Sequence, residues 1–140
     1  MNLHFQYSIE NIDWQQVVET LKSVGMGYRT PEVHLRAFAN SEIVVFVFDD
    51  DKMIGFGRTI SDGEYQAAIY DVAILPEYQG KGIGKMLIKS IIERLPNYNI
   101  ILYASPGKEK FYEKDNFRRM KTGMARFAKA DIMQNLGFTD

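Results

Sequence analysis

The residues best suited to chemistry lie in a glycine-rich segment in the middle of the chain, Gln79-Gly80-Lys81-Gly82-Ile83-Gly84-Lys85. Glycines allow positive φ angles and let backbone N–H groups approach a ligand closely. The segment precedes a stretch with helical periodicity, and the first N–H groups of a helix lack internal partners and lie at the positive end of its dipole. Lys81 and Lys85 add positive charge. The segment therefore predicts an anion site, most naturally for phosphate or pyrophosphate.

Two common phosphate loops do not fit this segment. A Walker loop needs a glycine five residues before its Gly-Lys pair and a hydroxyl residue after it, but Gln79 and Met86 stand there. A dinucleotide fingerprint needs a third glycine where the chain has Lys85. A glycine-rich start of a helix that binds no ligand is the structural alternative.

The pattern that does fit is Gln79-x-x-Gly82-x-Gly84, which resembles the pyrophosphate-binding motif of the GCN5-related N-acetyltransferases (GNAT) at every defining position. Later in the chain, the segment from Phe111 to Phe117 is similar to the F-Y-x-K-x-G-F signature of the same family. Asn116 replaces the usual glycine, and asparagine tolerates left-handed backbone. The two signatures and the strands around them cover about the C-terminal half of the chain, whereas the N-terminal half matches only in the order of its elements.

The resemblance implies acetyl-CoA as the cosubstrate and no metal. In this family the fourth strand carries a bulge and splays from the fifth, and pantetheine pairs with the backbone of the fourth strand. The implied acetyl-CoA contacts are Val72, Ala73, Ile74, Gln79, Gly80, Lys81, Gly82, Ile83, Gly84 and Lys85.

Tyr112 matches the family tyrosine whose hydroxyl protonates or stabilises the departing CoA thiolate. The alternative is a half-buried tyrosine that only packs. The chain has no cysteine for an acyl-enzyme, which agrees with direct transfer of the acetyl group.

The general base is the least determined part of the site. Some family members have a glutamate where this chain has Ala68, which cannot act. Strand alternation places Ala68, Tyr70 and Val72 on one face and Asp71 on the other, unless a bulge changes the parity. Asp71 is thus a weak base candidate, with an ion-paired carboxylate or a water chain as alternatives.

The acceptor pocket is predicted from residues on and after the strands. Tyr70, Ser105 and Tyr103 are the candidates, although Ser105 could equally cap the next helix and Tyr103 could pack in a core. Arg58 and Tyr65 are further candidates for the lining. His4 and His34 are interpreted as ordinary surface or core residues, and no metal site is predicted.

These residues need a sheet with helices on its faces. The pattern predicts strands at Leu3–Tyr7, Ile43–Phe48, Met53–Ile60, Tyr65–Leu75 and Asn99–Ala104, closing strands at Phe117–Met120 and Gly123–Ala128, and helices at Trp14–Val24, from Thr30-Pro31 to about Asn40, Ile83–Arg94 and Ser105–Lys114. The strands on either side of the Ile83–Arg94 helix form a βαβ crossover and should run parallel. The predicted fold class is α+β (mixed α/β), and the resemblance implies the acyl-CoA N-acyltransferase fold with one mostly antiparallel sheet.

Length and composition limit the function. The chain of 140 residues with a formal net charge of −1 predicts a single domain over residues 1–140 and no nucleic-acid partner. No apolar run suits a membrane, and we expect a cytoplasmic protein. The predicted function is acetyl-CoA-dependent N-acetylation of a small primary amine. The alternatives are a CoA-binding module without catalysis and a protein or peptide acetyltransferase, and a homodimer is left open.

Overall fold

The central element of the fold is a five-stranded sheet with the strand order β1-β2-β3-β4-β5. The structure is a computed structural model that describes residues 1–140. Its chain divides into two compact units, Met1–Leu102 and Tyr103–Asp140. The strands all lie in the first unit, at β1 (Leu3–Gln6), β2 (Ile43–Asp49), β3 (Lys52–Ser61), β4 (Gln66–Ile74) and β5 (Asn99–Ile101).

Three longer helices accompany the sheet: α1 (Trp14–Ser23), α2 (Pro31–Ala39) and α3 (Ile83–Glu93). The first two begin where the sequence predicts. Asp13 accepts hydrogen bonds from the backbone N–H groups of Gln15 and Gln16, and Thr30 accepts one from Val33. These bonds satisfy N–H groups that have no partner inside the helix.

The strands pair as the predicted fold class requires. The first four run antiparallel to their neighbours, whereas β4 and β5 run parallel, which confirms the predicted crossover. The parallel pairing ends at the Ala68–Ile101 pair, although β4 continues to Ile74. The remainder of β4 therefore has no partner in β5, which ends at Ile101.

The sheet has a hydrophobic core on each face. One core joins α1 and α2 to the sheet through the buried side chains of Val17, Leu21, Phe38, Val44, Phe46, Phe56 and Ala73. On the other face, α3 lies against Gly57, where an added Cβ would come within 3.0 Å of Leu87 and 3.6 Å of Ile91. Glycine at this position allows the close approach of α3.

The second unit contains two short helices, α4 (Glu109–Glu113) and α5 (Ala130–Asn135). The predicted closing strands at Phe117–Met120 and Gly123–Ala128 are wrong, because these residues form neither strand nor helix. Arg119 instead pairs with Glu109 and Glu113 of α4. A strand forms only where a partner edge completes its hydrogen bonds, and a short segment of sequence does not by itself supply one.

Candidate active site

A bulge interrupts β4 where it pairs with β3. Tyr70 lies opposite Arg58 and Ala73 lies opposite Phe56, so that Asp71 and Val72 together face one residue of β3. Asp71 has a φ of +56°, in the left-handed region. Such a backbone costs a residue with a side chain about 1 kcal/mol, and aspartate tolerates it better than most. The bulge thus lies where the family resemblance implies it.

The bulge reverses the side-chain parity of β4. Ala73 belongs to the core under α1 and α2, and Tyr70 lies on the same face, with its ring centroid 5.5 Å from the Arg58 guanidinium. Val72 points to the α3 face, 3.3 Å from a Cβ placed on Gly57. Simple alternation had placed Val72 beside Tyr70, and that prediction is corrected by the extra residue of the bulge.

Asp71 is paired with Arg58. The Nε–H of Arg58 donates to Oδ2 of Asp71 at 2.6 Å, and the two side chains are 15% and 22% exposed. A hydrogen bond between two charged groups is stronger than a neutral one, and partial burial reduces its screening by water. The structure therefore places the weak base candidate in an ion pair.

Arg58 makes further contacts that fix its guanidinium. Nη1 donates to the hydroxyl of Ser41 at 3.4 Å, and the guanidinium carbon lies 5.7 Å from the ring centroid of Phe38 and 5.5 Å from that of Tyr70. The aromatic contacts are within the range of cation–π attraction. The guanidinium is thus bound on several sides by the protein itself.

His34 is a buried residue of this neighbourhood, in agreement with the core placement that was one of its two interpretations from the sequence. Its Nε2 accepts a 2.8 Å hydrogen bond from the backbone N–H of Arg29, which fixes the loop between α1 and α2. Burial lowers the pKa of His34; the charge of Asp71 opposes this shift, and those of Arg58 and Arg29 reinforce it. His34 is therefore a neutral imidazole whose Nε2 lone pair is occupied.

The glycine segment forms the turn between β4 and α3. Gly80 and Gly82 have φ angles of +77° and +80°, and a Cβ on either would meet no atom within 4 Å. Gly82 is the N-cap of α3, and no side chain caps this helix. The N-terminus of α3 thus faces open space with its backbone N–H groups, as the predicted anion site requires.

Side chains before the turn fix its position. The side-chain amide of Gln79 donates to the carbonyl oxygen of Ile74 at 2.9 Å, and the hydroxyl of Tyr78 donates to Asp49 at 2.7 Å. The second bond raises the pKa of Tyr78; the pKa of Asp49 is lowered, first by the backbone N–H of Asn2 and then by Tyr78. The hydrogen bond between Tyr78 and Asp49 joins residues distant in sequence and has no local sequence signal.

The other predicted loop residues differ in what they can offer a ligand. Lys81 and Lys85 are exposed, so their ammonium groups are accessible to an anion. Ile83 is 1% exposed, and its side chain belongs to the core beneath α3. Only the backbone of Ile83 can contribute to binding.

Tyr112 lies in the second unit, on α4. Its ring packs edge-on against Phe111 and Phe117, with centroid distances of 5.0 and 5.9 Å. Burial raises the pKa of Tyr112, so its hydroxyl stays protonated at neutral pH. Asn116 has a φ of +66°, which confirms that asparagine keeps the left-handed turn of the signature.

The remaining acceptor candidates have different surroundings. In the second unit, Tyr103 packs edge-on against Phe127 and Phe138, and the carbonyl of Ser105 accepts from the N–H of Lys108, the actual N-cap of α4. In the first unit, Tyr65 is 59% exposed.

An open depression of about 350 Å³ in the first unit is lined by Ile60, Ser61, Asp62, Gln66, Ala67, Ala68 and Ile101. None of the predicted acceptor residues lines it.

Two other features bear on the kind of site. The structure has no group of three or more His, Cys, Asp or Glu side chains that could hold a metal ion. None of its helices combines the length and the apolar character needed to cross a membrane.

Comparison with known proteins identifies the family. The chain matches the acetyltransferase (GNAT) family over residues 7–117. It is 32% identical over 124 residues to an uncharacterized N-acetyltransferase, ycf52, of Pyropia yezoensis. This alignment covers 84% of the chain and 71% of the relative. It is 30% identical over 139 residues to the chloroplastic serotonin N-acetyltransferase 2 of rice (Oryza sativa subsp. japonica), covering 91% of the chain and 69% of that relative.

A solved structure shares the fold. A probable acetyltransferase of unknown function from Staphylococcus aureus superposes with a TM-score of 0.78 at 26% identity, over 89% of this chain and 98% of the other. These matches identify the class, and the bulged fourth strand and the glycine turn are the features that the resemblance implies for it. The chain belongs to the GNAT family of N-acetyltransferases.

Proposed function

We propose that the protein transfers an acetyl group from acetyl-CoA directly to the primary amine of a small molecule. The observation that carries the proposal is the glycine turn, in which Gly82 caps α3 in a left-handed conformation with open space around it. This arrangement fits the pyrophosphate of acetyl-CoA, because it offers unpaired N–H groups at the positive end of a helix dipole. The exposed Lys81 and Lys85 suit the same anion.

The part of β4 that has no partner in β5 supports the rest of the cosubstrate site. Val72 belongs to the bulge and Ala73 and Ile74 follow it, and all three lie beyond the last pair with β5. The β5-facing edge of this segment can pair with an extended amide-containing chain, as a sheet edge does with an added strand. Pantetheine has such amides.

The chemical step follows from the residues available. The amine nitrogen, after losing a proton to water, bonds to the carbonyl carbon of the thioester, and the carbon–sulfur bond breaks. Tyr112 gives its hydroxyl proton to the departing sulfur; this role is supported by the match to the family signature, and burial, which raises the pKa of Tyr112, keeps the proton on the hydroxyl until it is transferred. Water is the proposed proton acceptor, because Asp71 is bound by Arg58 and the His34 Nε2 by a backbone N–H.

A panel of amines with acetyl-CoA tests the proposal, with release of CoA as the readout. The panel contains polyamines, arylalkylamines, amino sugars, aminoglycosides and peptides; serotonin is included because of the name of the rice relative. Saturable CoA release with a small amine is expected. Acetyl-CoA binding without CoA release by any amine would favour a non-catalytic module, and CoA release with peptides alone would favour a peptide acetyltransferase.

The cytoplasmic location, the homodimer and the absence of nucleic-acid and membrane partners stay predictions.

A further inference from the structure

The β4 bulge depends on a residue that is strained unless something holds it. Asp71 has a φ of +56°, and the residues most often found in this conformation are glycine and, less often, asparagine or aspartate. Bulges with a left-handed first residue usually have glycine there. An aspartate at this position is expected to need support from its side chain.

That support comes from the neighbouring strand. Arg58 bonds Asp71 at 2.6 Å and is itself held by Ser41 and by the rings of Phe38 and Tyr70. Ser41 follows α2, and its hydroxyl also donates to the carbonyl of Ala37 in that helix. The carboxylate of Asp71 is thus tied, through one arginine, to β3 and to the end of α2.

The backbone direction after the bulge depends on this residue. Beyond Asp71, the chain enters the segment Val72–Ile74, in which Ala73 and Ile74 pair with β3 in the shifted register and no residue pairs with β5. A change in the φ angle of Asp71 would rotate the peptide groups of this segment. The carbonyl and N–H groups there are those that the proposed function assigns to acetyl-CoA.

We propose that Arg58 is a positioning residue, which locks the left-handed conformation of Asp71 and so aims the β4 backbone at the acetyl-CoA thioester. The inference rests on the proposed function and deepens it. It gives Asp71 a geometric role and removes the need for its carboxylate as a base. This lock makes a specific prediction. The Asp71 carboxylate is needed to hold the bulge only because residue 71 has a side chain, and glycine at this position would not need it.

Three variants test the lock, namely Arg58→Gln, Asp71→Gly and the double variant Arg58→Gln/Asp71→Gly. Arg58→Gln removes the ion pair and leaves a strained aspartate, so kcat with the best amine of the panel should fall about tenfold or more. The double variant has glycine, which adopts positive φ without support. We expect it to recover most of the lost kcat, although it lacks both charges.

The matched control is Arg94→Gln. Arg94 also lies over an aromatic ring, that of Tyr7 at 3.5 Å, and donates to the carbonyl of Ser90, but it is at the end of α3. This variant reports the effect of losing a stacked arginine elsewhere in the first unit. Its kcat should stay within about twofold of the wild type.

Each outcome decides one question. If kcat falls in both Asp71→Gly and the double variant, and their residual activity no longer declines at acidic pH, Asp71 is a base and the lock is wrong. If folded Arg58→Gln keeps the wild-type kcat and KM, the lock is also wrong.

Amide NMR gives a readout without turnover: Arg58→Gln should shift the signals of Val72 and Ala73, and the double variant should move them back. Unchanged signals would overturn the inference, whereas a wild type that neither binds acetyl-CoA nor releases CoA would overturn the proposed function alone.

Discussion

The side-chain amide of Gln79 donates a 2.9 Å hydrogen bond to the carbonyl oxygen of Ile74. The first residue of the glycine motif thus reaches back to the last residue of β4. This hydrogen bond links the end of β4 to the turn before α3 and so fixes the position of the turn relative to the strand. Gln79 thus contributes to the site by positioning backbone.

Gln79→Met should weaken acetyl-CoA binding. Methionine keeps the length of the side chain and removes the amide donor, and a single hydrogen bond contributes about 0.5–1.5 kcal/mol, or roughly 2- to 10-fold in Kd. Calorimetric titration with acetyl-CoA gives the affinity. Gln15→Met is the matched control, because the Gln15 amide makes a bond of the same length to Glu19 on the surface of α1. Equal affinities for both variants and the wild type would refute the positional role of Gln79.

Gly82→Asp should abolish acetyl-CoA binding while the protein stays folded. The new carboxylate would occupy the open space at the start of α3 and repel a pyrophosphate. Gly25→Asp is the control, since Gly25 has a similar φ of +76° and equally open surroundings after α1. Both variants bear the same backbone strain, and circular dichroism and calorimetry separate folding from binding. If Gly82→Asp binds as tightly as Gly25→Asp, the loop is not the pyrophosphate site.

The free energy of unfolding should fall as the pH drops below about 6.5, because of His34. Burial is the main cause of the lowered pKa of His34, so the unfolded chain takes up the proton first. The contribution of His34 is complete above the unfolded pKa of 6.5, is lost as the pH falls through it, and levels off below the folded pKa.

His34→Gln separates this effect from other titrations. Glutamine keeps an acceptor for the Arg29 N–H but does not titrate. Denaturant midpoints between pH 5.0 and 7.5 should therefore fall more steeply for the wild type than for the variant. Parallel curves would show that His34 does not titrate differently on folding.

Tyr112→Phe should slow acetyl transfer about 100-fold with little effect on acetyl-CoA affinity. The hydroxyl matters as negative charge grows on sulfur, whereas phenylalanine keeps the ring contacts with Phe111 and Phe117. Single-turnover measurement isolates the chemical step from product release. Tyr98→Phe is the control for loss of a hydroxyl at a half-buried tyrosine. A transfer step slowed less than about threefold would exclude Tyr112 as the acid.

The sequence predicted the parts of the site that depend on backbone conformation. Glycine adopts the φ of +80° at Gly82 more readily than any other residue, so the motif itself carries the geometry of the turn. An ion-paired Asp71 was one of the alternatives from the sequence, but its partner Arg58 was not predictable in this way. The pair joins two strands and lies at a bulge that reverses the alternation of side chains.

The fold was predicted most closely where local signals agree with packing. Asp13, Thr30 and Pro31 fix the starts of α1 and α2, and α3 ends one residue from its predicted bound. The two closing strands were predicted wrongly for the opposite reason. A short apolar segment is a local signal, whereas a strand needs a partner edge, and Arg119 bonds to the carboxylates of α4 instead.

Thermal unfolding with different nucleotide ligands tests most directly whether the glycine turn serves acetyl-CoA. A ligand that binds only the folded state at 100 times its Kd adds about 2.7 kcal/mol, which corresponds to roughly 10 °C for a protein of this size. Acetyl-CoA and CoA should raise the Tm by this order at saturation, and NAD and ATP at equal concentration should not. An equal or larger shift with NAD or ATP, or none with acetyl-CoA, would contradict the account.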